Sequence, residues 1–430
     1  MRRVRNSKIC PIISAKLSSQ SREVLPVIVQ SNNDSSRLNN LILSMSGSIK
    51  NDLPLIGGLS CNLTTEAIYR LAEDPDIEYI SFDSKVFALL DISTATIGSN
   101  FVNDKGYHGD GITIAVIDTG ISPHNDLMKP KERIVGFKDF INNKTTTYDD
   151  NGHGTHVAGI IGSNGYSSKG KYTGLAPKAN ILAVKALDEN GSGNTSNIVN
   201  AISWVIENKS KYNTKVLNLS LGSPANNPCS KDPLCKAVTK AVNSGIVVVV
   251  AAGNSGPLAS SILSPGINPD VITVGAVDDK RTIDPKDDTI ASFSSRGPTV
   301  DGLTKPDLVS PGVNIMSLSN KKADDYVSLS GASMATPFVS GSVALMLEKD
   351  KNLSPKEVKR KLLDSCIDMK ESKESQGVGM LNLEKLFKDA PSGEKEYGNE
   401  LNKDSSQFFS NPIIETFLVL LFVMLLLEKK

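Results

Sequence analysis

Apolar positions gather in short continuous runs through the middle of the chain. Residues 112–117, 181–184, 216–219, 246–250 and 271–277 each read as a strand buried on both faces. Between them, Ile198, Ile202, Val205 and Ile206 mark one helical face, and Leu234, Val238 and Val242 another. Near-continuous apolar strands that alternate with helices predict a parallel sheet covered on both sides. Sheets of that kind carry their sites at the carboxyl ends of the strands.

The pattern before this region is different. Residues 24–29 read as a strand. Leu38, Leu41, Ile42 and Met45 then share one helical face that Gly47 ends. Residues 53–63 supply strand material broken at Gly57-Gly58. Thr64 suits the N-cap of a helix carrying Ile68 and Leu71, and Asp74-Pro75 stops it. Residues 77–82 form a last strand, so the order β-α-β-β-α-β predicts a split βαβ unit. The chain divides accordingly into an N-terminal segment (1–22), a small α+β unit (23–90), a large α/β unit (91–389), a polar linker (390–411) and an apolar tail (412–430).

Both ends bear on targeting. The first residues are basic, but their apolar stretch is short and interrupted by Pro11, which makes a poor signal peptide. The tail is apolar from 413 to 427 except for Glu415 and Thr416. It falls short of the roughly 20 residues a spanning helix wants, yet residues 417–427 offer no polar face to water. A membrane anchor is the reading favoured, and an amphipathic or buried terminal helix is the alternative.

Composition narrows the partners. The 430 residues have a formal net charge of zero, with 39% hydrophobic and 5% aromatic positions. That is enough apolar matter for a large core, with no electrostatic or base-stacking reason to expect nucleic acid. Five cysteines, an odd and sparse set, are no disulfide scaffold. Cys229 and Cys235 flank a short loop and read either as ordinary thiols or as a local disulfide. No Cys-x-x-Cys or His-Cys cluster suggests zinc.

Three segments carry side chains suited to acyl transfer. Asp118 closes a buried strand in Ala115-Val116-Ile117-Asp118-Thr119-Gly120, which alone could mean no more than a capping aspartate. His153 stands between glycines in Asn151-Gly152-His153-Gly154-Thr155-His156, where the loop leaves it accessible as a base. His156 points into the following helix and reads as structural, and the pair lacks further metal ligands. Ser333, in Gly331-Ala332-Ser333-Met334-Ala335-Thr336-Pro337, opens an apolar helix whose N-terminal N–H groups favour a nearby oxyanion. A plain N-cap serine is the alternative there.

Together the three segments resemble the subtilisin-like serine proteases, with AVIDTG, NGHGTHVAG and GASMATP in the family's Asp, His, Ser order over residues 92–388. The resemblance implies an α/β fold, a subtilisin-like doubly wound, mostly parallel sheet. It implies Ser333 as nucleophile, His153 as general base and acid, and Asp118 as the group that orients the imidazole. In Ala251-Ala252-Gly253-Asn254-Ser255-Gly256, Asn254 matches the family's oxyanion donor. Substrate-facing edges map to Gly191, Ser192 and Gly193 and to Ser220, Leu221 and Gly222, with Ala251, Ala252, Gly253 and Gly266 around the P1 pocket. No acidic residue lines these positions, so a wide pocket that prefers large apolar P1 side chains is expected.

The same resemblance makes residues 23–90 an inhibitory propeptide-like domain, and makes the chain a self-processing proenzyme cut after Leu89 or Leu90. The partners implied are peptide or protein substrates and the chain's own propeptide, with a membrane only through the tail. An extracellular or cell-surface location goes with this reading. The chemistry needs no cofactor. A structural calcium is a further implication, with Asp126 where the family often places a ligand, although residues 163–171 lack the family's usual ligand loop and 188–191 only slightly resemble a calcium loop. A catalytically inactive peptide-binding module on the same fold and an esterase are the competing functions.

Overall fold

The structure, a computed structural model, describes residues 8–10, 13–14, 24–32, 35–83, 85–88, 105–280 and 287–388. The linker and apolar tail lie outside the described residues. Among the described residues no helix is long and apolar enough to cross a membrane.

The first sheet follows the expected order. Strands β1 (Val24–Ser31), β2 (Ser48–Leu53), β3 (Gly58–Thr64) and β4 (Ile77–Phe82) lie as β2-β3-β1-β4, with helices α1 (Ser35–Ser44) and α2 (Thr65–Glu73) in the connections. The Thr64 hydroxyl accepts the Ala67 N–H at 3.2 Å and so caps α2. Part of the N-terminal segment adds to this sheet. Ile9 bridges Ile80 in parallel, and Ile9, Cys10 and Ile13 are buried in the core that Val27, Leu63 and Ile68 form.

A short strand, β5 (Lys85–Ala88), follows. The large sheet then begins with β6 (Thr113–Asp118), β7 (Ile134–Asp139), β8 (Asn180–Lys185), β10 (Thr214–Leu219), β12 (Val247–Ala251), β13 (Ile272–Asp278), β14 (Thr289–Ile290) and β15 (Leu308–Pro311). Its order is β14-β13-β12-β10-β6-β8-β7, with β15 also on β13, and every pairing except β13 with β14 is parallel. Helices α3 (His153–Gly162) and α6 (Ala332–Lys349) pack on one face, and α4 (Thr195–Glu207) and α5 (Pro233–Asn243) on the other. Ile28, Leu53 and Ile56 of the first unit join this second face, so the two units share a core there. Helix α6 is buried along nearly its whole length, which explains why it is apolar all round.

Two small strands, β9 (Ser192–Asn194) and β11 (Leu221–Gly222), stand off the large sheet and sandwich β5 in antiparallel pairing. Phe87 is opposite both Ser192 and Gly222, and Ala88 is opposite Leu221. A hairpin of β16 (Ile315–Leu318) and β17 (Tyr326–Leu329) completes the fold beside α3. All five cysteines, Cys229 and Cys235 included, are thiols.

Candidate active site

Asp118 is the last residue of β6, and His153 is the first residue of α3. They meet at 2.7 Å between Asp118 Oδ1 and His153 Nδ1, with both side chains buried. A carboxylate only accepts, so Nδ1–H is the donor, and Nε2 of the neutral ring is left as an acceptor. The Thr119 N–H also donates to Asp118 Oδ1 at 2.7 Å. The approach of α3 depends on Gly154. A Cβ there would lie 2.1 Å from Gly120 O and 3.1 Å from Asp118 Cβ.

The loop before His153 is organised by Asp149. Its carboxylate accepts from Thr119 Oγ1, from the N–H groups of Asn151, Gly152 and Thr155, and from Thr155 Oγ1, at 2.7–3.1 Å. His156 faces away from this centre. Its Nε2 contacts Ile315 O at 2.9 Å and Val327 O at 3.2 Å. Burial, reinforced by His153 nearby, lowers its pKa to about 3, so it stays neutral.

Ser333 is the second residue of α6, in the first turn, where helix geometry offers its N–H no acceptor four residues back. Four residues on stands Pro337, which has no N–H to give to the Ser333 carbonyl. Ser220 Oγ donates to that carbonyl instead, at 2.9 Å, and Ser333 Oγ donates to Ser220 O at 3.1 Å. Ser220 is held in turn. Ser340 Oγ donates to Asn218 Oδ1 at 2.7 Å, and Asn218 Nδ2 donates to Ser220 Oγ at 3.0 Å. Asn254 reaches α6 from the loop after β12 and accepts the Ala332 N–H on Oδ1 at 2.9 Å.

The segments expected to form substrate edges hold β5 between them. Gly191 precedes β9 and has φ +69°; Ser192 and Gly193 lie in β9, and Leu221 and Gly222 form β11. Ala251 ends β12, and Ala252 and Gly253 follow it. Between the two walls lies Leu263, which inspection of the sequence passes over. A Cβ on Gly222 would come within 2.8 Å of Leu263 Cβ, and one on Gly253 within 2.7 Å of Leu263 Cγ. Leu263 therefore packs closely against both glycines. Gly266 lies behind it, where a Cβ would be 2.9 Å from Leu263 O and 3.2 Å from Ala251 O.

The surroundings of Asp126 do not suit a cation. Its carboxylate accepts from Ser163 Oγ at 2.9 Å, from Ser167 N at 2.8 Å and from Tyr326 Oη at 2.8 Å, so both oxygens are taken by donors. In 188–191, Asp188 Oδ1 accepts the N–H groups of Asn190 and Ser192 and closes a turn. Among the described residues no group of three His, Cys, Asp or Glu could hold a metal ion.

Residues 109–380 match the profile described as the Subtilase family. The chain is 43% identical over 357 residues to "Serine protease AprX" of Bacillus subtilis (strain 168), which covers 78% of this chain and 80% of that one. It is 37% identical over 291 residues to "Subtilisin DY" of Bacillus licheniformis, covering 67% and 95%. The crystal structure of fervidolysin from Fervidobacterium pennivorans, a keratinolytic enzyme related to subtilisin, aligns with a TM-score of 0.68 at 23% identity, over 87% of this chain and 62% of that one. At that identity the likeness concerns the fold.

Proposed function

The chain belongs to the subtilase family and is a subtilisin-like serine endopeptidase, and from that premise we propose that it is a self-processing proenzyme whose Asp118, His153 and Ser333 do the chemistry. Ser333 Oγ attacks the scissile carbonyl and gives its proton to His153 Nε2. Asp118, bonded to Nδ1, holds the tautomer and stabilises the imidazolium. The tetrahedral oxyanion takes the Ser333 N–H and the Asn254 side-chain amide. His153 then protonates the leaving amine, and water hydrolyses the acyl-enzyme by the reverse roles.

One observation carries the self-processing reading. The strand β5, part of the chain itself, lies antiparallel between the two edges expected to bind substrate. Main-chain pairing on both sides is how an extended peptide is held by strand addition. The described pairing ends with Ala88 opposite Leu221, the neighbour of Ser220; Leu89 and Leu90 lie outside the described residues. Ser220 and Ser333 are joined by two hydrogen bonds, and a strand held in this register favours a cut just beyond Ala88, after Leu89. Leu263 gives the P1 pocket an apolar floor that suits leucine.

In this reading residues 23–90 act as the propeptide, tied to the enzyme by polar contacts. The Asp83 carboxylate accepts Ser196 N at 3.1 Å and Ser196 Oγ at 3.0 Å. It thus caps α4, whose own N-cap Asn194 makes no side-chain cap, and a negative charge favours that helix end. Tyr79 Oη donates to Asn227 Oδ1 at 2.9 Å, and Lys236 pairs with Glu78 at 2.6 Å. An extracellular or cell-surface location goes with this function. A tail inserted with Lys429 and Lys430 inside would leave the protease outside.

Hydrolysis of a peptide anilide by Ser333→Ala tests the chemistry. Loss of turnover in a folded protein is expected. Activity within tenfold of the parent would remove Ser333 from its role. Labelling of the parent by a fluorophosphonate separates this function from that of an inactive peptide-binding module.

A further inference from the structure

Lys185 ends β8 as a lysine with a wholly buried side chain. Burying an ammonium is costly unless oxygens surround it, and three do. Nζ donates to Thr119 O at 2.6 Å, to Asp150 Oδ1 at 2.6 Å and to Leu187 O at 2.9 Å. Each acceptor lies on a different working segment. Thr119 follows Asp118. Asp150 begins the run Asp150-Asn151-Gly152 that delivers His153. Leu187 leads into the turn before β9, the edge that pairs with β5. The ladder adds a further tie, because Lys185 is the register partner of Asp118, and the Asp118 carbonyl accepts Ala186 N at 2.9 Å and Leu187 N at 3.1 Å.

We propose that Lys185, paired with Asp150, is a positioning residue that aligns Asp118, His153 and the β9 substrate edge, and that the charges of the pair set where His153 loses its proton. This rests on Asp118 and His153 being the acid and base proposed above. Other charged or titratable groups face the pair. Asp118 and Asp139 are the ladder partners of Lys185 on β6 and β7, and the Tyr148 ring lies 5.1 Å from Nζ. Asp118 bonds His153 directly, Asp149 holds the loop before it, and His156, one turn further along α3, is neutral. Lys185 and Asp150 are the members whose removal changes the local charge in opposite directions without touching the reacting atoms. Losing the ammonium favours the imidazolium, and losing the Asp150 carboxylate disfavours it.

The test uses the activated enzyme, counted by fluorophosphonate titration, with kcat and KM for a peptide anilide followed across pH and thermal unfolding measured alongside. Lys185→Met is expected to lower kcat about 10- to 100-fold and to move the acid limb of kcat/KM to higher pH. Asp150→Asn, at a side chain one-third exposed, is expected to fold whether or not Lys185→Met does, and to move the acid limb to lower pH. Opposite displacements support the proposal. An acid limb that stays put or rises in Asp150→Asn overturns it, as does a folded Lys185→Met with parental kcat and an unmoved limb. If those results come with a dead Ser333→Ala, only the role of Lys185 fails; turnover by Ser333→Ala fails the triad itself.

Discussion

The side-chain carbonyl of Asn254 accepts the backbone N–H of Ala332 at 2.9 Å. That bond decides which end of the amide is free. With Oδ1 engaged at the start of α6, the NH2 group is left as the donor beside Ser333. Asn254→Asp keeps an acceptor for Ala332 and removes the donor. The expected outcome is an unchanged melting temperature with kcat reduced by about 10²–10³, a range already known from the same family. A variant with kcat within threefold of the parent would exclude Asn254 from oxyanion binding.

Substrate preference is expected to turn on Leu263. Truncating it to Ala opens the space between Gly222 and Gly253. The ratio of kcat/KM for Phe over Leu at P1 should then rise by roughly tenfold, on the scale typical of apolar pockets. Paired anilide substrates measure this. An unchanged ratio would place P1 elsewhere.

Stability should fall with acid independently of catalysis. His156 titrates at about 3 in the fold against an ordinary 6.5, because burial disfavours its charged form. The unfolded chain therefore takes up the proton first, and stability present above pH 6.5 drains away as pH falls toward 3. Burial lowers His124 and His108 in the same direction. Thermal unfolding of Ser333→Ala between pH 7 and 4 checks this, since self-digestion is absent. A flat melting temperature across that interval would contradict it.

Much of the fold was legible because buried parallel strands advertise themselves. All five residues of Val247–Ala251 are buried, and the sequence there is continuously apolar. The edge strand Ile134–Asp139 was not, since most of its residues, Gly136 and Lys138 among them, are only partly buried or exposed. Asp118, His153 and Ser333 stood out as candidates because each sits in its own dense motif. Leu263 could not, because a lone leucine gains meaning only against two glycines that approach it in space. Lys185 was equally silent. A lysine closing an apolar strand looks like an exposed stop until the three oxygens around it are seen. Among the described residues the N-terminal segment joins the first sheet through one bridge at Ile9, too short to leave a period.

The most direct measurement is the N-terminal sequence of the enzyme matured from the full chain, made beside Ser333→Ala in a host free of other proteases that could cut it. With β5 in register with Leu221 and Gly222, the parent is expected to begin at Leu90 and Ser333→Ala to remain uncut. A mature start well away from Leu90, or the same cut in Ser333→Ala, would contradict the reading of this chain as its own first substrate.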